Sequence, residues 1–344
     1  MRTRDDLRRL QALPLELKIK MTQRRIRDWV KEYGEDGVYV SFSGGKDSTV
    51  LLHIVREMYP DIEAVFVNTG LEYPEIQKFV KSFDNVTILR PKMLFDEVIK
   101  RYGYPLISKT VSDCVRGAKM GQQSRINLLN GLDCDGSDRK SKFSHAKYKP
   151  LLNVDFQISE MCCDVMKKSP SYIYQRKTKK KPILATMATE SMLREKNWIK
   201  NGCNAFEAKH PQSAPMSFWT EQDVLRYIKE NSIPIASVYG DIVYADDPEQ
   251  IRLEEMGVEG CGEKLCTTGC DRTGCIFCGF GCHLDKEPSR FQRLKETHPR
   301  QYQYCIGGGE YDADGIWKPN KDGLGMGHVF EELNKIYGEG FIKY

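Results

Sequence analysis

A short apolar run, Val38-Tyr39-Val40-Ser41-Phe42, passes directly into Ser43-Gly44-Gly45-Lys46-Asp47-Ser48-Thr49, and a helical pattern follows from Val50 to Met58. A strand that enters a helix through such a turn leaves few choices of fold. The glycines permit a tight bend that aims backbone N–H groups at an anion, and the helix N-terminus adds its positive dipole. Lys46 can neutralise phosphate charge, while Ser43, Ser48 and Thr49 offer hydroxyls. The string is not the GxxxxGK[ST] loop, because the first glycine is missing at the required spacing. Taken alone, Gly-Gly-Lys would be an ordinary turn with a solvated lysine; its strand–helix setting argues for a phosphate cradle.

The alternation continues along the chain. Ile62 to Val67 reads as a second strand ending at Asn68-Thr69-Gly70, Pro74 to Phe83 as a helix, and Val86 to Leu89 as a third strand. Strands and helices alternating through short loops predict a parallel sheet covered by helices, with ligands beyond the carboxyl ends of the strands. Residues 4 to 33 read as helix with a break at Pro14. Residues 117 to 150 are polar and interrupted by Gly, Ser and Asp, the mark of an insertion or flap. Strand character returns at Pro182 to Met187. Thr220 is placed to cap a helix over Glu221 to Glu230, and a last helix is expected near His328 to Ile336. The expected class is α/β, a doubly wound and mostly parallel sheet. Its expected parts are an N-terminal helical segment (1–35), a nucleotide-binding domain (36–250) and a cysteine-rich C-terminal region (251–344).

Composition narrows the setting. The chain has 344 residues, and 52 Lys and Arg against 48 Asp and Glu leave a net charge of +4, too little to demand nucleic acid by itself. No apolar run approaches the roughly 18–20 residues that span a bilayer, and the first residues carry no apolar export segment, so a cytoplasmic protein without membrane partners is expected. Twelve cysteines are the anomaly. Six fall between Cys261 and Cys282 and two adjoin at Cys162-Cys163, a clustering that favours a metal or redox role over a disulfide scaffold.

At these residues the sequence resembles the phosphoadenosine phosphosulfate (PAPS) reductase family, within the adenine nucleotide alpha hydrolase or PP-loop ATP pyrophosphatase superfamily. Ser43 to Ser48 resembles its pyrophosphate loop, and Val65 to Pro74 the segment after its second strand. Ala188-Thr189-Glu190-Ser191-Met192-Leu193-Arg194 is similar to a later nucleotide-binding motif. Pro215 to Val224 is similar to the stretch where a tryptophan precedes a helix. The resemblance implies an adenine nucleotide held by Ser41, Ser43, Gly44, Gly45, Lys46, Asp47, Ser48, Thr49, Asn68, Thr69, Gly70, Glu190 and Arg194. Lys46 and Asp47 are its implied catalytic groups, and ATP with Mg²⁺ its implied ligand. Two departures matter. Sulfonucleotide reductases of the family generally lack the complete Ser-Gly-Gly-Lys-Asp-Ser string. They also use a cysteine in a Glu-Cys-Gly-x-His motif, for which Cys305 and Cys282-His283 are poor substitutes here.

Cys162-Cys163 with Cys275-Ile276-Phe277-Cys278 resembles the ligand pattern of a [4Fe–4S] cluster in iron–sulfur members of the family. Adjacent cysteines can also be buried small hydrophobes. Cys261, Cys266, Cys270 and Cys282 would suit zinc, a second cluster, unpaired thiols or a disulfide formed on isolation. Cys114, Cys134, Cys203 and Cys305 read as structural. The basic runs Arg176 to Lys181 and Arg139-Lys140-Ser141-Lys142 are solvated surface or a path for a tRNA or DNA acceptor. Three functions follow as expectations. The first is ATP-dependent adenylylation of an acceptor with pyrophosphate release, tied to sulfur transfer from a donor protein. The second is a sulfonucleotide reductase that releases sulfite. The third is a non-catalytic nucleotide- and redox-sensing protein.

Overall fold

The computed structural model describes residues 2–138, 144–245 and 264–344. In chain order the elements through the sheet are α1 (Arg4–Gln11), α2 (Leu15–Tyr33), β1 (Val38–Ser41), α3 (Lys46–Met58), β2 (Ala64–Val67), α4 (Pro74–Val80), β3 (Val86–Leu89) and α5 (Phe95–Tyr102). Then come β4 (Leu106–Ile107), α6 (Lys109–Lys119), α7 (Gln123–Leu129), α8 (Ser169–Thr178), β5 (Lys181–Leu184), α9 (Met192–Asn201), β6 (Asn204–Ala205), β7 (Gln212–Ser213) and α10 (Glu221–Glu230). By internal contacts the chain forms two compact units. Unit 1 is Met1–Asn68, Glu72–Leu89 and Ser171–Thr273; unit 2 is Thr69–Leu71, Arg90–Pro170 and Gly274–Tyr344.

Unit 1 holds a six-stranded sheet in the order β3-β2-β1-β5-β7-β6, parallel except for the β6–β7 pair. The strands wind outward from β1 in both directions, so the strand order reverses beside it. A crevice opens at such a reversal, beyond the strand ends. Val38, Tyr39 and Val40 are all buried, as a strand flanked on both sides requires. The α3 helix buries Val50, Leu51, Leu52, Ile54 and Val55. The expected α/β class is thus the observed one, and the helix break at Pro14 falls between α1 and α2.

Ahead of the sheet, α2 buries Ile26, Trp29 and Val30, and also Lys18, only 2% exposed. The Lys18 ammonium lies 2.7 Å from Asp223 Oδ2 and 2.6 Å from the Gln11 carbonyl. Asp223 also closes the cap of α10: its carboxylate accepts from Thr220 N at 2.7 Å, while Thr220 Oγ1 accepts from Asp223 N at 3.3 Å. Replacing Thr220 by Ala removes one half of this reciprocal cap and is expected to cost about 1 kcal/mol. Urea unfolding followed by tryptophan fluorescence checks it, and an unmoved midpoint would show that the cap contributes nothing.

In unit 2, much of the described part of the polar stretch 117–150 is helical. The α6 helix runs into it, α7 lies within it, and a tight helical turn occupies Ala146–Asn153. Ser108 caps α6 by accepting from Val111 N at 3.2 Å, and Val111, Cys114 and Val115 share a buried stripe. A Cβ at Gly117 would stand 2.6 Å from Arg125 Cγ, so α7 packs there against bare backbone of α6. Arg139, Lys140, Ser141 and Lys142 lie outside the described residues.

Candidate functional site

The loop between β1 and α3 bends on Gly44, whose φ of +72° is the left-handed conformation that favours glycine. A Cβ at Gly44 would also meet Val80 Cγ2 at 2.7 Å and Ile76 Cγ2 at 2.8 Å, so α4 packs against a bare backbone. The loop is then cross-tied by its own hydroxyls. Ser43 N donates to Ser48 Oγ at 3.1 Å, and Gly45 N to Ser43 Oγ at 3.3 Å. Ser48 and Thr49 donate to the Gly45 carbonyl at 2.9 and 3.0 Å. Lys46 N, at the first turn of α3, donates to the Tyr239 hydroxyl at 3.2 Å.

Lys46 is 4% exposed, and its ammonium bonds Glu221 Oε1 at 2.6 Å and the Asp271 carbonyl. Asp47 follows it, and burial raises its carboxyl above the usual carboxylate range while Lys46, Arg272 and Arg194 pull it back down. Its Oδ1 is buried without a hydrogen-bond partner. Arg194 pairs with Glu190, and Arg272 lies 3.5 Å from the same carboxylate. Burial and Arg272 together depress the Arg194 guanidinium. Glu190 also accepts from Met187 N at 2.9 Å, which fixes it at the end of the β5 crossover. Unit 1 therefore gathers Ser43 to Thr49, Glu190 and Arg194 into one electrostatic neighbourhood. A hard oxygen donor left unpartnered beside three cations suits Mg²⁺ carried on a polyphosphate.

Ser41 ends β1 and pairs with Val65 and Leu184. Asn68 N donates to the Leu89 carbonyl at 2.9 Å, which extends the β2–β3 ladder by one residue. Thr69 and Gly70 belong to unit 2, where Leu71 N donates to Thr69 Oγ1 at 3.2 Å. Sequence reasoning missed Tyr239, Glu221 and Arg272 as members of the neighbourhood. Arg272 was visible only as a flank of the second cysteine pair. Tyr239 sits in Val238-Tyr239-Gly240, which carries no motif.

The basic run divides. Lys180 is held by Glu63 at 2.6 Å, whereas Arg176, Lys177 and Lys179 are exposed.

Unit 2 contains the second constellation. The chain at 104–107 serves as a template for both cysteine segments. Tyr104 N donates to the Gln157 carbonyl at 2.8 Å and the Tyr104 carbonyl accepts from Ser159 N at 3.0 Å, just ahead of Cys162-Cys163. Leu106 and Ile107 pair in parallel with Gly279 and Phe280, just after Cys278. The cysteines are close enough to shape one another's titration. The bond from Cys162 favours the Cys163 thiolate, supported by Lys109 and Lys167, and lowers its thiol to about 5. The same bond, burial and the neighbouring Cys163, Cys278 and Cys275 push Cys162 far upward. Burial raises Cys278, and Arg290 bonds the Cys278 and Phe280 carbonyls at 3.2 and 3.0 Å.

Among the described residues, no three His, Cys, Asp or Glu side chains close around one metal ion. The four cysteines, with Lys109, Lys167 and Arg290 beside them, offer the thiolate donors and the offsetting positive charge that an iron–sulfur cluster requires. Cys266 and Cys270 lie in unit 1 and Cys282 in unit 2, while Cys261 is outside the described residues. Cys282 is buried, donates to the Gly279 carbonyl at 3.1 Å, and is pushed up to about 12 by burial. Cys305 is buried 3.5 Å from Met326 Sδ, Cys114 and Cys203 are buried, and Cys134 is exposed. Among the described residues no helix is long and apolar enough to cross a membrane.

Comparison with known proteins adds family information. A profile of the phosphoadenosine phosphosulfate reductase domain matches residues 37–125 and 118–279. An uncharacterized protein of Methanocaldococcus jannaschii is 31% identical over 99 residues, 26% of this chain and 24% of that one. An adenosine 5'-phosphosulfate reductase of Bacillus cereus is 27% identical over 146 residues, 40% of this chain and 62% of the relative. The chain thus spans less than two thirds of either relative. A solved phosphoadenylyl-sulfate reductase of Candida auris, in a phosphate complex, aligns with 76% of this chain and 95% of its own at 13% identity, with a TM-score of 0.35.

Proposed function

This chain belongs to the phosphoadenosine phosphosulfate reductase domain family, and we propose that within it the chain is an ATP-dependent enzyme that cleaves between the α and β phosphates. An acceptor oxygen attacks the α phosphorus, the bond to the bridging oxygen breaks, and pyrophosphate leaves. The observation that carries this reading is the complete loop around a buried Lys46, with Asp47 Oδ1 unpartnered beside it. The loop amides and the hydroxyls of Ser43 and Ser48 hold the leaving pyrophosphate, and Lys46 offsets its charge. Arg194 and Glu190 orient the nucleotide. Asp47 would hold Mg²⁺, which supplies charge neutralisation for the triphosphate when bound.

Cys162, Cys163, Cys275 and Cys278 would hold a [4Fe–4S] cluster, which supplies electron or sulfur chemistry when bound. Lys109, Lys167 and Arg290 then offset its negative charge. With this set, the acceptor is best read as tRNA or DNA served by a sulfur donor protein, and exposed Arg176, Lys177 and Lys179 as contacts to its phosphates. Anaerobic, iron-reconstituted protein is expected to be brown with about four irons per chain, the number in such a cluster. Cys163→Ser should lose the colour and the iron, as read by absorbance and iron analysis. A colourless, iron-free native protein sinks the cluster.

A second reading, a reductase of adenylyl sulfate or its 3'-phosphate, draws on the Bacillus cereus relative. One assay separates them: pyrophosphate release from ATP against sulfite release from the two sulfonucleotides, on anaerobic protein. Sulfite without pyrophosphate reverses the assignment, and turnover of neither favours a nucleotide- and redox-sensing protein.

A further inference from the structure

The N–H groups of Ser43, Gly45 and Lys46 are already partnered, and one partner is foreign to the loop. The hydroxyls on Ser43 N and Gly45 N come from Ser48 and Ser43, so they can swing away with a change of rotamer. The hydroxyl on Lys46 N comes from Tyr239, buried at 2% exposure in the turn Ser237–Tyr239. Its oxygen also lies 2.5 Å from Thr273 Oγ1. A Cβ on Gly45 would stand 3.2 Å from that hydroxyl and 3.5 Å from Thr273 Oγ1, so both groups crowd the turn into α3. The Lys46 ammonium is likewise occupied by the Asp271 carbonyl and Glu221.

These contacts share one origin. Asp271 and Thr273 belong to the tail of a segment anchored upstream, where Gly269 N and Cys270 N donate to the Tyr239 and Val238 carbonyls, each at 2.9 Å. Arg272 adds its contact with Glu190 at 3.5 Å. Downstream of Cys270, the tail touches the rest of unit 1 at Lys46, Tyr239 and Glu190. An oxygen that binds Lys46 N must take the place of the Tyr239 hydroxyl, and one that also binds the Lys46 ammonium must share it with Glu221 and the Asp271 carbonyl.

We propose that Tyr239 and residues Asp271–Thr273 form a latch that fills the anion position at rest, and that polyphosphate binding releases this tail. The latch rests on the reading of the loop as a phosphate site, and it regulates that site. Its consequence is competition: each resting contact lowers the affinity for the incoming anion, because a ligand can bind only the unlatched fraction. The released tail is the stretch of chain that leads into Cys275.

The test uses the full chain, inorganic pyrophosphate and two variants, Tyr239→Phe and Thr273→Val, which break the same contact from its buried and its tail side. Tyr239→Phe should bind pyrophosphate about three- to tenfold more tightly by calorimetry, the span of one net hydrogen bond. Limited trypsin cleavage after Arg272, located by mass spectrometry, should be faster in the native protein with pyrophosphate than without. It should be equally fast in either ligand-free variant. Unchanged or weaker pyrophosphate binding by Tyr239→Phe overturns the latch, as does pyrophosphate that slows cleavage after Arg272. A native chain that does not bind pyrophosphate refutes the phosphate reading instead. The ligand-free trypsin comparison then decides by itself whether Tyr239 holds the tail.

Discussion

Lys46→Ala is expected to lower the affinity for ATP by about ten- to hundredfold while leaving AMP nearly unchanged, the loss of one charge-assisted hydrogen bond in a shielded site. Two features make the effect specific. Lys46 is 4% exposed, so water does little to screen its ammonium, and it sits on the first turn of α3, where the helix dipole also favours an anion. AMP has no β or γ phosphate to reach it. The fold should tolerate the change, because the Glu221 side chain left behind is half exposed and can be solvated. Calorimetry with both nucleotides on native and variant protein is the check. Equal losses for ATP and AMP would place Lys46 on the α phosphate, and unchanged ATP binding would remove the loop from the site.

Asp223→Ala should have the largest effect on stability, a loss of about 3–5 kcal/mol, the range for stripping one partner from a buried ion pair. Lys18 would keep only the Gln11 carbonyl while its charge stayed out of water. The α10 cap would lose one half with it, because the same carboxylate oxygen serves Thr220 N. Replacing both partners, as in Lys18→Met with Asp223→Leu, should recover most of the loss, since the expense lies in the unpaired charge and not in the missing attraction. Urea unfolding of the three proteins measures this. An Asp223→Ala protein within about 0.5 kcal/mol of native, the ordinary scatter of surface substitutions, would show that Lys18 finds water or another partner.

Local patterns were legible where one physical cause dominates. The strand–turn–helix at Val38 to Met58 and the cap at Thr220 depend on nearby residues, and the structure has both. The helices within 117–150 were hidden because their buried stripes are short and Gly117 serves close packing between α6 and α7. The ion pair of Lys18 with Asp223 and the hydroxyl of Tyr239 on Lys46 N join residues remote in sequence, where no spacing rule operates. Charges signalled candidate contacts; only the fold decides that Lys180 is spent on Glu63 while Lys179 is exposed.

The template at 104–107 has a consequence for how the chain matures. Its partners arrive at very different times during synthesis: residues 157–159 follow early, whereas Gly279 and Phe280 come only after nearly all of unit 1 has been made. A nascent chain therefore carries Cys162-Cys163 on a half-built unit until the C-terminal segment emerges, and closing so long a loop is slow. During that interval the Cys163 thiolate has none of its distal thiol partners beside it. If these cysteines hold the proposed cluster, iron delivered then would meet two sulfurs instead of four, and metallation would have to come last.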